Sequence, residues 1–236
     1  MMRRNVFLPV YIIAALCFFS AQAGALNLDI ELNAGGALAM GATDNPNATG
    51  EARPALGCAL EFDLYLFTIG SLEVGFSAGM EYSYLTLHGV WDIPANAVFL
   101  GSPATTQKTD NSYSYLNFPI ALAGRIPLGD NLRLTLRAGG FFGYFLGGSS
   151  DVTYSTEIPG VLENGTQTLD SDNTEEWDYG LHFYTGLDIF LGGGLWLTTS
   201  LRFDLGLADT TVNNALSSYT DTHWSLIAVI GLKYGF

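Results

Sequence analysis

Twelve ionisable residues set the chemistry open to this sequence. The acids Asp29, Glu31, Glu61, Asp63, Glu73 and Glu81 lie within the first 81 positions, whereas the bases Arg125, Arg133, Arg137, Arg202 and Lys233 come later, with Asp204 beside Arg202. Acids and bases segregated in this way can do one of two things if the fold brings them together. They can neutralise one another in a buried ion-pair network, or they can line a narrow conduit for small solutes. A second candidate is His223 with Ser225, a base and a nucleophile two positions apart. Side chains two apart share a face of any strand, so that spacing discriminates little. His88 and His182 stand without Cys or carboxylates at ligand spacing, and no metal site is expected. No phosphate loop or nucleotide fingerprint occurs, so no cofactor is expected either; Gly139-Gly140 and Gly147-Gly148 read as strand glycines that relieve crowding.

The elements that carry these charges alternate with period two. Leu28, Ile30, Leu32, Ala34, Leu38 and Met40 share one face of the first segment, with Asp29, Glu31 and Asn33 on the other. Segments of the same kind follow around Leu56–Leu66, Leu72–Tyr84, Tyr115–Ile126, Leu132–Leu146, Asp178–Ile189, Leu195–Leu205 and His223–Phe236. The result is eight predicted strands, several of them longer than the five or six residues usual in soluble sheets. Their less apolar face carries Gly, Ala, Ser and Thr with paired acids and bases, which suits the narrow interior of a small barrel better than the water-facing side of a soluble one.

Connection lengths alternate too. Thr68-Ile69-Gly70-Ser71, Pro127-Leu128-Gly129-Asp130 and Gly192-Gly193-Gly194 are tight and glycine-bearing, whereas 41–53, 88–111, 148–176 and 209–221 are long and largely polar. Short turns at one end and long loops at the other, around an even number of antiparallel strands, predict an eight-stranded antiparallel transmembrane β-barrel. Closure is required, because an open edge in lipid would leave backbone groups unsatisfied. Tyr82, Tyr84, Phe142, Tyr144 and Trp224 fall near strand ends, where girdle residues sit.

Composition agrees. Of 236 residues 48% are hydrophobic and only 14% charged, yet after the first twenty no run reaches the roughly 18 apolar residues that a spanning helix needs. With nine Lys and Arg and a net charge of −14, nucleic acid is excluded as a partner. Arg3 and Arg4, the apolar run Val6 to Phe19 and the small-residue site Ser20-Ala21-Gln22-Ala23 read as a signal peptide, residues 1–23, leaving 24–236 as one barrel domain. Its removal takes Cys17, so Cys58 has no partner for a disulfide.

At the far end Gly231, Tyr234 and Phe236 place a glycine and two aromatics in a pattern that resembles the assembly signal of bacterial outer-membrane proteins. Tyr115-Leu116-Asn117-Phe118-Pro119-Ile120 and Asp178-Tyr179-Gly180-Leu181 are similar to motifs of the small outer membrane protein beta-barrel domain family, the porin-like group of OmpX and PorT type. Val229 and Arg202-Phe203-Asp204 depart from its usual pattern. The resemblance implies Sec export, periplasmic chaperones, the barrel-assembly machinery and residence in outer-membrane lipid as a monomer. His223-Trp224-Ser225 also resembles the arrangement in lipid A deacylases, but the Asn that follows the Ser there is Leu226 here.

The long loops form the remaining surface. Residues 148–176 hold seven acids and no Lys or Arg, whereas the loop at 88–111 includes Trp91, Ile93, Val98, Phe99 and Leu100. The expected role is therefore non-enzymatic: structural, or adhesion-like through loops that meet an extracellular ligand or host surface. A narrow porin is the alternative, and lipid A or lipid hydrolysis a third reading.

Overall fold

The structure, a computed structural model, describes residues 27–43, 48–170, 174–208 and 221–236. The expected signal peptide and residues 209–220 of the fourth loop lie outside the described residues. In chain order the strands are β1 (Asn27–Thr43), β2 (Ala48–Glu51), β3 (Arg53–Ile69), β4 (Leu72–Ile93), β5 (Thr105–Pro127), β6 (Leu132–Tyr154), β7 (Gly165–Leu169), β8 (Trp177–Gly192), β9 (Leu195–Gly206) and β10 (Asp221–Gly235).

Eight of these strands close a ring. Each long strand pairs antiparallel with its long neighbours in sequence, and β1 pairs with β10 from Asp29↔Gly235 to Thr43↔Asp221. The ring order is therefore β1, β3, β4, β5, β6, β8, β9, β10 and back to β1. The short β2 and β7 stand outside it, paired with the outer ends of β4 and β6.

The ring is inside-out relative to a soluble protein. Leu32, Leu56, Ile120, Leu122, Phe142 and Ile230 are exposed on its outer surface, while Asp29, Glu31, Glu61, Arg137, Arg202 and Lys233 are at most 2% exposed. The period-two alternation dictates this: once one face turns to lipid, every intervening side chain turns to the lumen. Tyr82, Tyr84, Tyr144, Trp177 and Tyr179 form part of an outward-facing aromatic belt, with Tyr144 and Trp177 meeting edge-on at 5.2 Å.

The loops are shorter than their sequence suggests. In place of a loop at 88–111, β4 and β5 stay paired as far as Ile93↔Thr105, leaving only 94–104 as a connection. In place of a loop at 148–176, β6 runs on to Tyr154 and pairs with β7. Within 41–53, β2 adds a further paired piece against β4. The reason is physical: above the membrane the outer sheet face meets water instead of lipid, so the apolar alternation that marks a spanning strand fades while backbone pairing continues.

Candidate functional site

The lumen is the site where the predicted charges converge. Strands β1 and β6 lie four places apart in either direction around the ring, as do β4 and β9, so each pair stands diametrically opposed. Side chains cross both diameters. Near the tight-turn end, Arg133 of β6 reaches Asp29 of β1 at 2.9 Å and donates through Nε to Asp188 at 2.9 Å. Arg125 also reaches Asp29 at 2.9 Å and pairs with Glu73. The guanidinium groups of Arg125 and Arg133 lie over the rings of Tyr65 and Trp196, at 4.1 and 3.9 Å from the ring centroids.

One tier up, Arg137 is the hub. It donates to Glu31 at 2.6 Å, Glu61 at 2.5 Å and Asp63 at 2.7 and 2.9 Å, and its guanidinium lies 4.1 Å from the Tyr184 ring centroid. Lys233 reaches Glu31 at 3.2 Å and Asp188 at 3.0 Å. Polar neighbours take further lone pairs: Tyr184 and Asn33 donate to Glu31, while Thr135 and Thr198 donate to Asp188. This multiplicity matters because a buried ion pair overcomes its desolvation only when the remaining donors and acceptors are also satisfied.

The next tier joins β9 to β4. Arg202 donates to Glu81 at 2.5 Å across the barrel and lies 3.1 Å from its strand neighbour Asp204, whose other oxygen meets His182 Nδ1 at 2.7 Å. Gly57 makes room for this crossing, since a Cβ there would stand 2.8 Å from the guanidinium. Above it, His223 lies 3.3 Å from Asp178 and its ring is stacked, 14° from parallel, on Tyr115 of the opposite strand β5. An apolar cluster of Tyr113, Tyr115, Phe145, Leu85 and Leu87 then covers the outer end.

All twelve predicted network residues take part in ion pairs within this column. The charge network read from the sequence omits Asp178, Asp188 and His182, and treats His223 only as a catalytic candidate, although each falls on the inward phase of its strand. That phase was the signal that could have found them.

Glu81, His182 and Asp204 bring one ligand atom each within 4.8 Å of one another, a grouping that could hold a divalent ion. No sequence spacing hinted at it, because the three come from β4, β8 and β9. Arg202 already bridges the two carboxylates as an internal cation.

Ser225 and His223 both face the lumen, 3% and 4% exposed, away from membrane lipid. Gly231 sits on the β1–β10 seam, where a Cβ would come within 2.7 Å of the Leu32 carbonyl oxygen. Tyr234 and Phe236 pack together on the outer surface at 4.8 Å.

A closed ring of eight antiparallel strands, apolar outside and crossed inside by charged side chains, defines an outer-membrane β-barrel. The sequence profile of the outer membrane protein beta-barrel domain family matches residues 21–212, and the chain belongs to that family, whose members reside in the bacterial outer membrane. Among solved structures it is similar to Neisserial surface protein A, at 11% identity over 89% of this chain and 97% of that one, with a TM-score of 0.39. It is similar to the outer membrane protease OmpT from Escherichia coli at 13% identity, 89% and 96% coverage and a TM-score of 0.37. A major outer membrane protein from Thermus thermophilus aligns at 13% identity, 90% and 100% coverage and a TM-score of 0.42. A search of curated proteins returns no match.

Proposed function

We propose that this chain is a non-enzymatic outer-membrane barrel whose lumen is a structural core and whose external hairpins carry its interactions. The observation that supports this most is the set of crossings on opposed strands, Arg133 to Asp29, Arg137 to Glu31 and Arg202 to Glu81, roofed by the Tyr115–His223 stack. Side chains that meet across the diameter occupy the path a solute would take, and an eight-stranded interior is only wide enough to be filled by them. This weighs against the narrow-porin alternative. Lipid hydrolysis is disfavoured because His223 and Ser225 turn into the lumen.

The same reading includes Sec export with cleavage after Ala23, delivery by periplasmic chaperones and insertion by the barrel-assembly machinery through Gly231, Tyr234 and Phe236. Operation as a monomer is supported by the closed ring, which among the described residues leaves no long strand with a free edge.

Planar-bilayer recording of the refolded protein tests the lumen: a silent membrane is expected, and reproducible unitary steps would overturn it. Attachment of expressing cells to a host surface tests the loops. Deleting 95–103 or 155–164 should lower attachment while the barrel stays folded, and undiminished attachment by both deletions would reject the adhesive role.

A further inference from the structure

Above the girdle the outward face of the sheet carries a row of ionisable side chains separate from those of the lumen. Glu51 of β2 stands opposite His88 of β4, His88 opposite Asp110 of β5, and Asp110 opposite Asp151 of β6. We propose that His88 is a proton-dependent latch: its imidazolium ties Glu51 and Asp110 together across three strands, docking β2 on the β4–β5 hairpin in acid and releasing Glu51 when the ring becomes neutral. The device goes beyond the surface role above and does not depend on it.

Ring geometry is the first argument. His88 Nδ1 lies 2.6 Å from Asp110 Oδ1, and Nε2 faces Glu51 Oε2 at 4.0 Å. An ionised carboxylate only accepts, so the proton of a neutral ring sits on Nδ1 and is donated to Asp110. Nε2 is then a bare acceptor turned towards a second acceptor. One added proton makes both nitrogens donors, and the ring serves both carboxylates at once. Imidazole is the side chain whose unperturbed charge changes between about pH 5 and 8.

Position is the second argument. His88 shares the outward phase of the girdle residue Tyr84 and lies four residues beyond it, about 13 Å of strand at ordinary rise. That places it at the rim, within reach of water. The imidazole is only 7% exposed, whereas Glu51 is 61% exposed. Packing therefore fixes the ring, and rotation of the free carboxylate stem closes the remaining gap.

The surrounding charges favour a cation at this point. Arg53 of β3 lies 3.4 Å from Glu51 and Lys108 of β5 stands one position further out, opposite Val90. Against these two bases the row sets Glu51, Asp110 and Asp151, with Asp92 beyond them on β4 accepting from Thr106 and Asp151 accepting from Thr166. The mechanical effect falls on β2, which is four residues long and ends at Glu51. Gly50 lets it lie so close to β1 that a Cβ there would fall 2.2 Å from the Gly41 carbonyl oxygen. A ladder this short frays readily, and a side-chain tie at its last residue holds it down.

The test uses the full chain refolded in lipid nanodiscs and follows deuterium exchange of amides 48–51 in wild type, Glu51→Gln, His88→Asn and the double variant. Comparing the four at one pH cancels the intrinsic pH dependence of exchange and the contribution of Arg53. The coupling factor between the two positions should be roughly two- to fivefold at about pH 5.5, as one exposed ion pair implies, and should fall to about one near pH 8. Unchanged mobility of unheated samples on a gel shows that each variant has folded. Wild type alone gives a second reading by nuclear magnetic resonance: the amides of 48–51 should shift with the same midpoint as the His88 ring. A coupling factor of one in acid, a factor that does not change with pH, or amides of 48–51 that do not follow the ring overturns the latch.

Discussion

Arg137 and Glu31, 106 positions apart in the chain, meet at 2.6 Å from strands that face each other across the barrel. Neither residue has a neighbour in sequence that could neutralise it, so each depends on closure of the ring for a partner. Because every closing pair joins adjacent long strands, this contact forms only when all eight are in register.

Arg137→Ala should therefore be costly. It leaves Glu61 without its ion pair and Glu31 and Asp63 sharing Lys233 alone, and breaking a buried pair on one side costs about 3–5 kcal/mol. The urea midpoint of the micelle-refolded protein should fall accordingly. Combining Arg137→Met with Glu31→Gln, Glu61→Gln and Asp63→Asn should recover most of the loss, since Lys233 retains Asp188. A single variant as stable as wild type would refute the hub.

Ile120 and Leu100 are both exposed branched aliphatic side chains, but they face different solvents. Ile120→Arg places a charge at membrane depth and should cost roughly 2–4 kcal/mol. Leu100→Arg should change barrel stability by no more than about 0.5 kcal/mol. Equal costs in a urea titration would contradict the assignment of faces.

Ser225 is buried in the lumen. In a Cys58→Ser background, Ser225→Cys should resist a membrane-impermeant maleimide until the barrel is unfolded, whereas Ala97→Cys at the tip should react within the mixing period. Fast modification of position 225, read by intact mass, would mean that the outer mouth admits solutes past the aromatic roof.

The β4–β5 hairpin is strand rather than loop as far as Ile93↔Thr105, so amides in 85–93 and 105–113 should exchange with deuterium far more slowly than those in 95–103. Limited proteolysis of the folded protein should cut within 94–104 and spare the flanks. Uniformly fast exchange from 88 to 111 would restore a flexible loop there.

The legible part of the molecule was the part in contact with lipid. Leu28 to Met40 or Leu195 to Leu205 announce their faces because lipid demands an apolar side chain at every second position. Beyond Tyr84 and Leu146 that demand ends, and residues such as Thr106, Ser112 and Ser149 pair through backbone and hydroxyl contacts that leave no hydrophobic period. The inward phase of Asp188 and His182 was visible, but their importance was not, since an inward carboxylate or imidazole matters only through what stands opposite.

Sequence alone determined which side chains turn inward, how many strands span the membrane and which end carries the long connections, because these follow from local alternation and turn chemistry. Only the tertiary structure decided which acid meets which base. Pairing partners depend on ring order and tilt, properties of the closed barrel that no single strand contains, and on those rest the crossings from Arg133 to Asp29, Arg137 to Glu31 and Arg202 to Glu81.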